Sequence, residues 1–239
     1  MNDNEIDNFD LIKHEVIEPE LRLGNPGTYW VVQLILRSKD FPDRDKVTFA
    51  PFKNKGHEYF VRQWLINSSE ELERHRESMI AWAKMTGGRL YFNIDAKDMR
   101  KTLANQVVNS TNMLANFNSD NVKTFVNNFY SVPRLADNSI SKSRYVLLDI
   151  DFKNPDADDN FKAYTLSKLI STLASSMPSS WTTVKTVSGY HVFTKIRGEK
   201  NANVDTLKLG KVLEEFRNEW TAVEIDEKYN SSTILYYKR

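Results

Sequence analysis

The 239-residue chain contains no cysteine, so disulfides, thiolate zinc sites and iron–sulfur clusters are excluded. Its four histidines, His14, His57, His75 and His191, are scattered, which argues against a zinc site built from imidazole alone. No uninterrupted apolar run approaches the ~20 residues a membrane span requires. The opening residues, MNDNEIDNFD, are acidic and polar, which predicts no secretory leader, no membrane contact and a cytoplasmic setting. No internal repeat or low-complexity tract is visible. A net charge of only +1 supplies no global basic field to attract nucleic acid.

What is present suffices for a folded core. Apolar residues make up 40% of the chain and charged residues 27%, an ordinary globular balance. The charge is unevenly spread. Residues 1–20 carry seven acids against one lysine, whereas residues 183–197 carry Lys185, Lys195 and Arg197 and no acid. That local basic stripe is enough to hold phosphates. A metal bound by this chain would have to be held by carboxylates, which favours Mg2+ or Mn2+.

Residues 1–27 end in Gly24-Asn25-Pro26-Gly27 and read as a partly ordered acidic arm. Residues 28–37 (TYWVVQLILR) and 58–66 (EYFVRQWLI) are β-branched and aromatic and read as strands, with a loop or hairpin over 38–57. Ser68 followed by Glu71 forms a capping-box pattern that predicts a helix running to about Met85 and stopped at Gly87-Gly88. A strand over 89–95 and a helix over about 97–114 follow, the latter with Met99, Leu103, Val107 and Leu114 on one side. A short helix over 121–130 and a linker fill the Asn- and Ser-rich stretch 116–143. Beyond it, RYVLLDIDF (144–152) is a strand, Leu166 to Met177 an amphipathic helix, and 181–196 a strand pair broken at Ser188-Gly189. Leu209 to Trp220 repeats the helical stripe, and strands are expected over 221–226 and 232–239.

The expected class is therefore α+β. An N-terminal α/β module (28–143) stands beside an RRM-like or palm-like antiparallel sheet with helices on one face (144–239).

Two features carry chemistry. Asp149 and Asp151 end an apolar strand, and residues i and i+2 of a strand share a face about 6–7 Å apart. Such acids repel unless a cation lies between them; a strand-end cap beside a solvated acid is the simpler alternative. The second is Thr186-Val187-Ser188-Gly189-Tyr190-His191. Glycine permits close backbone approach, and Ser188 and His191 can donate hydrogen bonds, although a histidine among apolar residues is also consistent with a half-buried one bonded to a backbone carbonyl.

Together, the DxD strand, the amphipathic helix and the hairpin bearing Ser-Gly-Tyr-His resemble the first two motifs of the archaeo-eukaryotic primase superfamily. Ile225-Asp226 is similar to the third. The resemblance spans residues 144–239. It implies a DNA primase or primase-polymerase, a template-dependent nucleotidyltransferase, with Asp149, Asp151 and Asp226 as catalytic metal ligands for Mg2+ or Mn2+. Ser188, Gly189, His191 and Lys195 would hold the nucleoside triphosphate. Glu224 competes with Asp226, and Arg239 is a further candidate phosphate contact. Partners implied are single-stranded DNA template, running along residues such as Tyr190, Arg144 and Arg89, and a separate replicative helicase; a stand-alone core of this size suits a phage or plasmid. Three acids at one edge predict at least one raised carboxyl pKa. The rival readings are a non-catalytic RRM-like module binding single-stranded nucleic acid, a degenerate primase, and a metal-dependent nuclease.

Overall fold

The computed structural model describes residues 5–41, 58–115, 131–140, 144–154, 157–177, 179–197 and 206–238. The chain forms two compact units, Met1–Ile140 with Ile234–Arg239, and Ser141–Thr233. None of the described helices is long and apolar enough to cross a membrane.

The first unit begins with strand β1 (Glu5–Asp7) and helices α1 (Phe9–Ile12) and α2 (Glu18–Leu21), linked by a π-helical turn over Lys13–Ile17. The acidic arm expected here is instead part of the core. Ile6, Phe9, Ile12, Val16 and Ile17 are buried, while Glu5, Asp7, Asp10 and Glu15 are exposed and Glu20 is buried with the apolar residues. Strand β2 (Thr28–Arg37) is buried along nearly its whole length, as its continuous apolar sequence requires of a central strand. Strand β3 (Glu58–Ile66) pairs with it antiparallel.

Helix α3 (Ser69–Thr86) starts where the capping pattern places it: the Ser68 hydroxyl accepts from the Glu71 N–H, and Gly87 ends the helix at φ +67°. The left-handed backbone at that position is the reason for glycine. Strand β4 (Arg89–Asn93), the two-residue β5 (Lys97–Asp98) and helix α4 (Met99–Ala115) follow. Leu103, Val107 and Leu114 of α4 are exposed, and only Thr102 is buried among its side chains, so the apolar stripe read from the sequence is not a core face among the described residues. The predicted 121–130 helix and most of the predicted 38–57 loop lie outside the described residues.

The second unit runs β6 (Arg144–Phe152), α5 (Asp159–Ser176), β7 (Thr182–Lys185), β8 (Gly189–Arg197), α6 (Thr206–Glu219) and β9 (Val223–Tyr229). Its sheet order is β7-β8-β6-β9, antiparallel throughout. This βαββαβ arrangement is the ferredoxin-like topology of RRM and palm sheets, as the periodicities predicted. One face is apolar: Val146, Leu148, Ile150 and Phe152 of β6 pack with Leu169 and Leu173 of α5 and Leu209, Leu213 and Phe216 of α6. The period-2 alternation of β6 leaves Leu147, Asp149 and Asp151 on the other face.

The module does not extend to residue 239 as the sequence suggested. The last strand, β10 (Ser232–Lys238), enters the first unit's sheet, whose order is β1-β10-β4-β2-β3 with β5 beside β2. Asn230, with φ +48°, lies in the short connection after β9, where asparagine tolerates the left-handed backbone.

Candidate active site

Register, more than sequence spacing, builds the site. Asp149 of β6 stands opposite His191 of β8 on one side and Asp226 of β9 on the other. One row along, Asp151 stands between Gly189 and Glu224. Directly paired residues share a face, with Cβ atoms about 4.5–5.5 Å apart. Two acid pairs, Asp149/Asp226 and Asp151/Glu224, therefore lie side by side on the face away from the helices. Asp226 and Glu224 are exposed, whereas Asp149 is half-buried. Glu224, which the sequence offers only as a competitor of Asp226, has the same footing beside Asp151 that Asp226 has beside Asp149.

Asp149 is the most constrained of the four. Its Oδ1 lies 3.2 Å from Nε2 of His191, and its Oδ2 accepts a hydrogen bond from Nζ of Lys228. Burial by itself would raise this carboxyl, but the bonds from His191 and Lys228 outweigh it and hold the pKa down at about 2. The crowding of acids expected from the sequence thus does not lift Asp149, because a cation already neutralises it. Lys228 was overlooked in the sequence. It sits two residues past Asp226 and so shares its face, the signal that would have found it.

His191 occupies the centre of a relay. Nδ1 lies 2.9 Å from the Thr233 hydroxyl while Nε2 faces Asp149, and its side chain is 12% exposed. Both ring nitrogens are therefore occupied by Asp149 and Thr233, not by a backbone carbonyl. This geometry makes His191 an orienting group for Asp149 and leaves no ring nitrogen open to a phosphate, contrary to the nucleotide contact expected from the motif. Thr233, fully buried, is a second residue the sequence did not reveal.

The hairpin between β7 and β8 is tied internally. The Thr186 N–H donates to the Gly189 carbonyl (2.9 Å), and the Gly189 N–H donates to the Thr186 hydroxyl (3.1 Å). The Gly189 amide is thus occupied, and its glycine has a packing cause. A Cβ there would overlap the Ile150 carbonyl oxygen and stand 2.9 Å from its carbon. Ser188, exposed at the hairpin tip, donates to Oδ1 of Asp151 at 2.6 Å. Ser188, Asp151, Asp149, His191 and Asp226 are accordingly brought together, with Ser188 and His191 each holding one acid of the DxD pair.

Other expected contacts are not brought to this cluster. Lys195 lies four residues along β8 from His191, about 13 Å at strand rise, with its ammonium over the Tyr145 ring at 5.7 Å. Tyr190 packs on the helix side, edge-on to Phe152. Arg89 is buried in the first unit, where its Nε donates to Asp40 at 2.7 Å and its guanidinium lies 4.8 Å from the Tyr237 ring centre. Neither of these last two can line a template path. The Arg144 side chain and Arg239 lie outside the described residues.

The donor set fits a hard divalent cation in kind, since all four acids offer oxygen and the Asp149 carboxylate already binds a positive charge. It does not form a closed cage: among the described residues no three His, Asp or Glu side chains are gathered closely enough to hold an ion as they stand. No protein-family model, curated protein or solved structure matches this chain.

Proposed function

We propose that the second unit is a metal-dependent nucleotidyltransferase, a DNA primase or primase-polymerase that adds nucleotides from nucleoside triphosphates on a single-stranded DNA template. The observation that supports this reading is the strand register, which sets Asp226 directly beside Asp149 with Asp151 on the same face. Asp149, Asp151 and Asp226 would hold Mg2+ or Mn2+, with Glu224 available beside Asp151. When bound, the metal would lower the pKa of an attacking hydroxyl and neutralise the leaving pyrophosphate.

The chain's own residues contribute positioning. His191, fixed by Thr233, sets the direction of the Asp149 carboxylate, and Ser188 does the same for Asp151. Both acids are then held in one orientation before substrate arrives, which removes reorganisation from the reaction. In this reading the Ser-Gly-Tyr-His element acts mainly through the acids, and only the exposed Ser188 hydroxyl lies near enough to the surface to exchange Asp151 for a phosphate oxygen.

A second reading, a non-catalytic module binding single-stranded nucleic acid, is favoured by the RRM-type topology and by the neutralised Asp149. Incorporation of labelled nucleotides on a single-stranded template, with and without a primer and with Mg2+ or Mn2+, separates the two. Wild-type protein is expected to extend and Asp149→Asn protein to lose extension. Template binding by both proteins without incorporation under any metal would overturn the enzymatic reading in favour of the second.

A further inference from the structure

Lys228 has a role that neither the acid motif nor the hairpin motif accounts for. It lies on β9 in the row next to Asp226, and its Nζ donates to Oδ2 of Asp149. Oδ1 of the same carboxylate is taken by His191. Each oxygen of the Asp149 carboxylate therefore already faces one donor of this chain. Lys228 and His191 differ in one respect. His191 is held at both nitrogens and its side chain is 12% exposed, whereas the Lys228 side chain is 42% exposed and can swing into solvent on a flexible stem.

We infer that Lys228 is a displaceable counter-cation, holding Asp149 when no metal is present and competing with the divalent cation for its Oδ2. The inference rests on the nucleotidyltransferase reading, in which Asp149 is a metal ligand. It makes Lys228 a positioning residue that sets the metal threshold of the site. It also explains how four acids persist on one sheet face without a metal, since half-buried Asp149 is neutralised internally, Asp151 accepts from Ser188, and Asp226 and Glu224 are exposed to water.

The test is Mn2+ binding to the whole protein without nucleotide, followed by the paramagnetic signal of free Mn2+ or by calorimetry. Removing an ion-pair partner with one exposed member is expected to tighten Mn2+ binding by about two- to fivefold in Lys228→Met and Lys228→Gln. Lys228→Arg, which keeps the charge, is expected to stay near wild type. Lys211→Met, an exposed lysine on α6, controls for the loss of one positive charge, and circular dichroism confirms folding of each variant. Equal Mn2+ affinity in wild type and both neutral variants, with binding still abolished by Asp149→Asn, overturns the role of Lys228 and leaves the metal site standing. An equal gain in Lys211→Met reduces the effect to net charge and overturns it as well. Absence of any Mn2+ binding that depends on Asp149, in wild type and Lys228 variants alike, overturns the metal site itself.

Discussion

Replacing Asp149 by asparagine should destabilise the metal-free protein, although a naive reading of clustered acids predicts the opposite. The bonds from His191 and Lys228 hold the carboxyl down at about 2 in the folded protein, below its ordinary value of 3.8. A depression of that size corresponds to roughly 2 kcal/mol of stability from the ionised form. The side chain is only 19% exposed, so solvent screening removes little of it. Because the folded pKa is depressed, the contribution is fully present above about pH 4 and fades as pH falls through the folded value near 2. By about pH 3 roughly half remains. Urea unfolding in the presence of a chelator, for wild type and Asp149→Asn, measures this directly. The wild type should be more stable near pH 7 by about 2 kcal/mol, with the gap narrowing by about 1 kcal/mol near pH 3. A variant as stable as wild type near pH 7, or a gap that does not change with pH, would refute the claim that Lys228 and His191 outweigh burial and acid repulsion.

Gly189→Ala should cost more than about 3 kcal/mol or prevent folding of the second unit, since backbone overlap with Ile150 cannot be relieved by a rotamer change; thermal melting followed by circular dichroism reads this, and a near-wild-type melt contradicts the close β6–β8 approach. Thr233→Val keeps shape and removes the hydroxyl facing Nδ1 of His191; loss of about 1–3 kcal/mol is expected, with a shifted imidazole signal in NMR as the specific readout. Asp226→Asn should weaken Mn2+ binding by about tenfold while leaving metal-free stability within about 0.5 kcal/mol, because the side chain is exposed; unchanged Mn2+ affinity would remove Asp226 from the ligand set. Arg89→Met should cost about 3–5 kcal/mol by leaving Asp40 buried without its partner, and a loss below about 1 kcal/mol in urea would show that the pair is not buried in solution.

Periodicity and turn chemistry made most elements legible. The Ser68 cap, the Gly87 stop, the break at Ser188-Gly189 and the helical stripes of α5 and α6 are local signals, each tied to a backbone requirement that acts within a few residues. The DxD strand was equally clear, because alternation of Val146, Leu148 and Ile150 with Asp149 and Asp151 fixes which residues face away from the core. Register was not legible. Which residue stands opposite Asp149 depends on how β6, β8 and β9 slide past one another, and a shift of two would place Lys228 or Glu224 there without altering any local pattern. That is why Lys228 was missed and Glu224 undervalued. The destination of β10 was hidden for the same reason. Ser232–Lys238 reads as a strand wherever it pairs, and only long-range contacts assign it to β1 and β4 rather than β9. The acidic N-terminal stretch misled because charge dominates its composition while five apolar residues decide its burial.

The placement of β10 bears on how the chain is made. Strands β4 and β10 are neighbours in one sheet, yet about 140 residues separate Asn93 from Ser232, and the whole of the second unit is synthesised between them. That unit is contiguous, Ser141–Thr233, so its sheet has every strand available before the first unit's sheet receives the strand that joins β1 to β4. Until then the nascent first unit carries unpaired strand edges, the condition that invites wrong pairing. Translation speed and chaperone supply are therefore expected to govern the yield of the first unit far more than that of the second. Chains truncated before Ser232 and released from the ribosome should keep the strands and helices of the second unit resistant to protease while the described strands of the first unit remain open to cleavage.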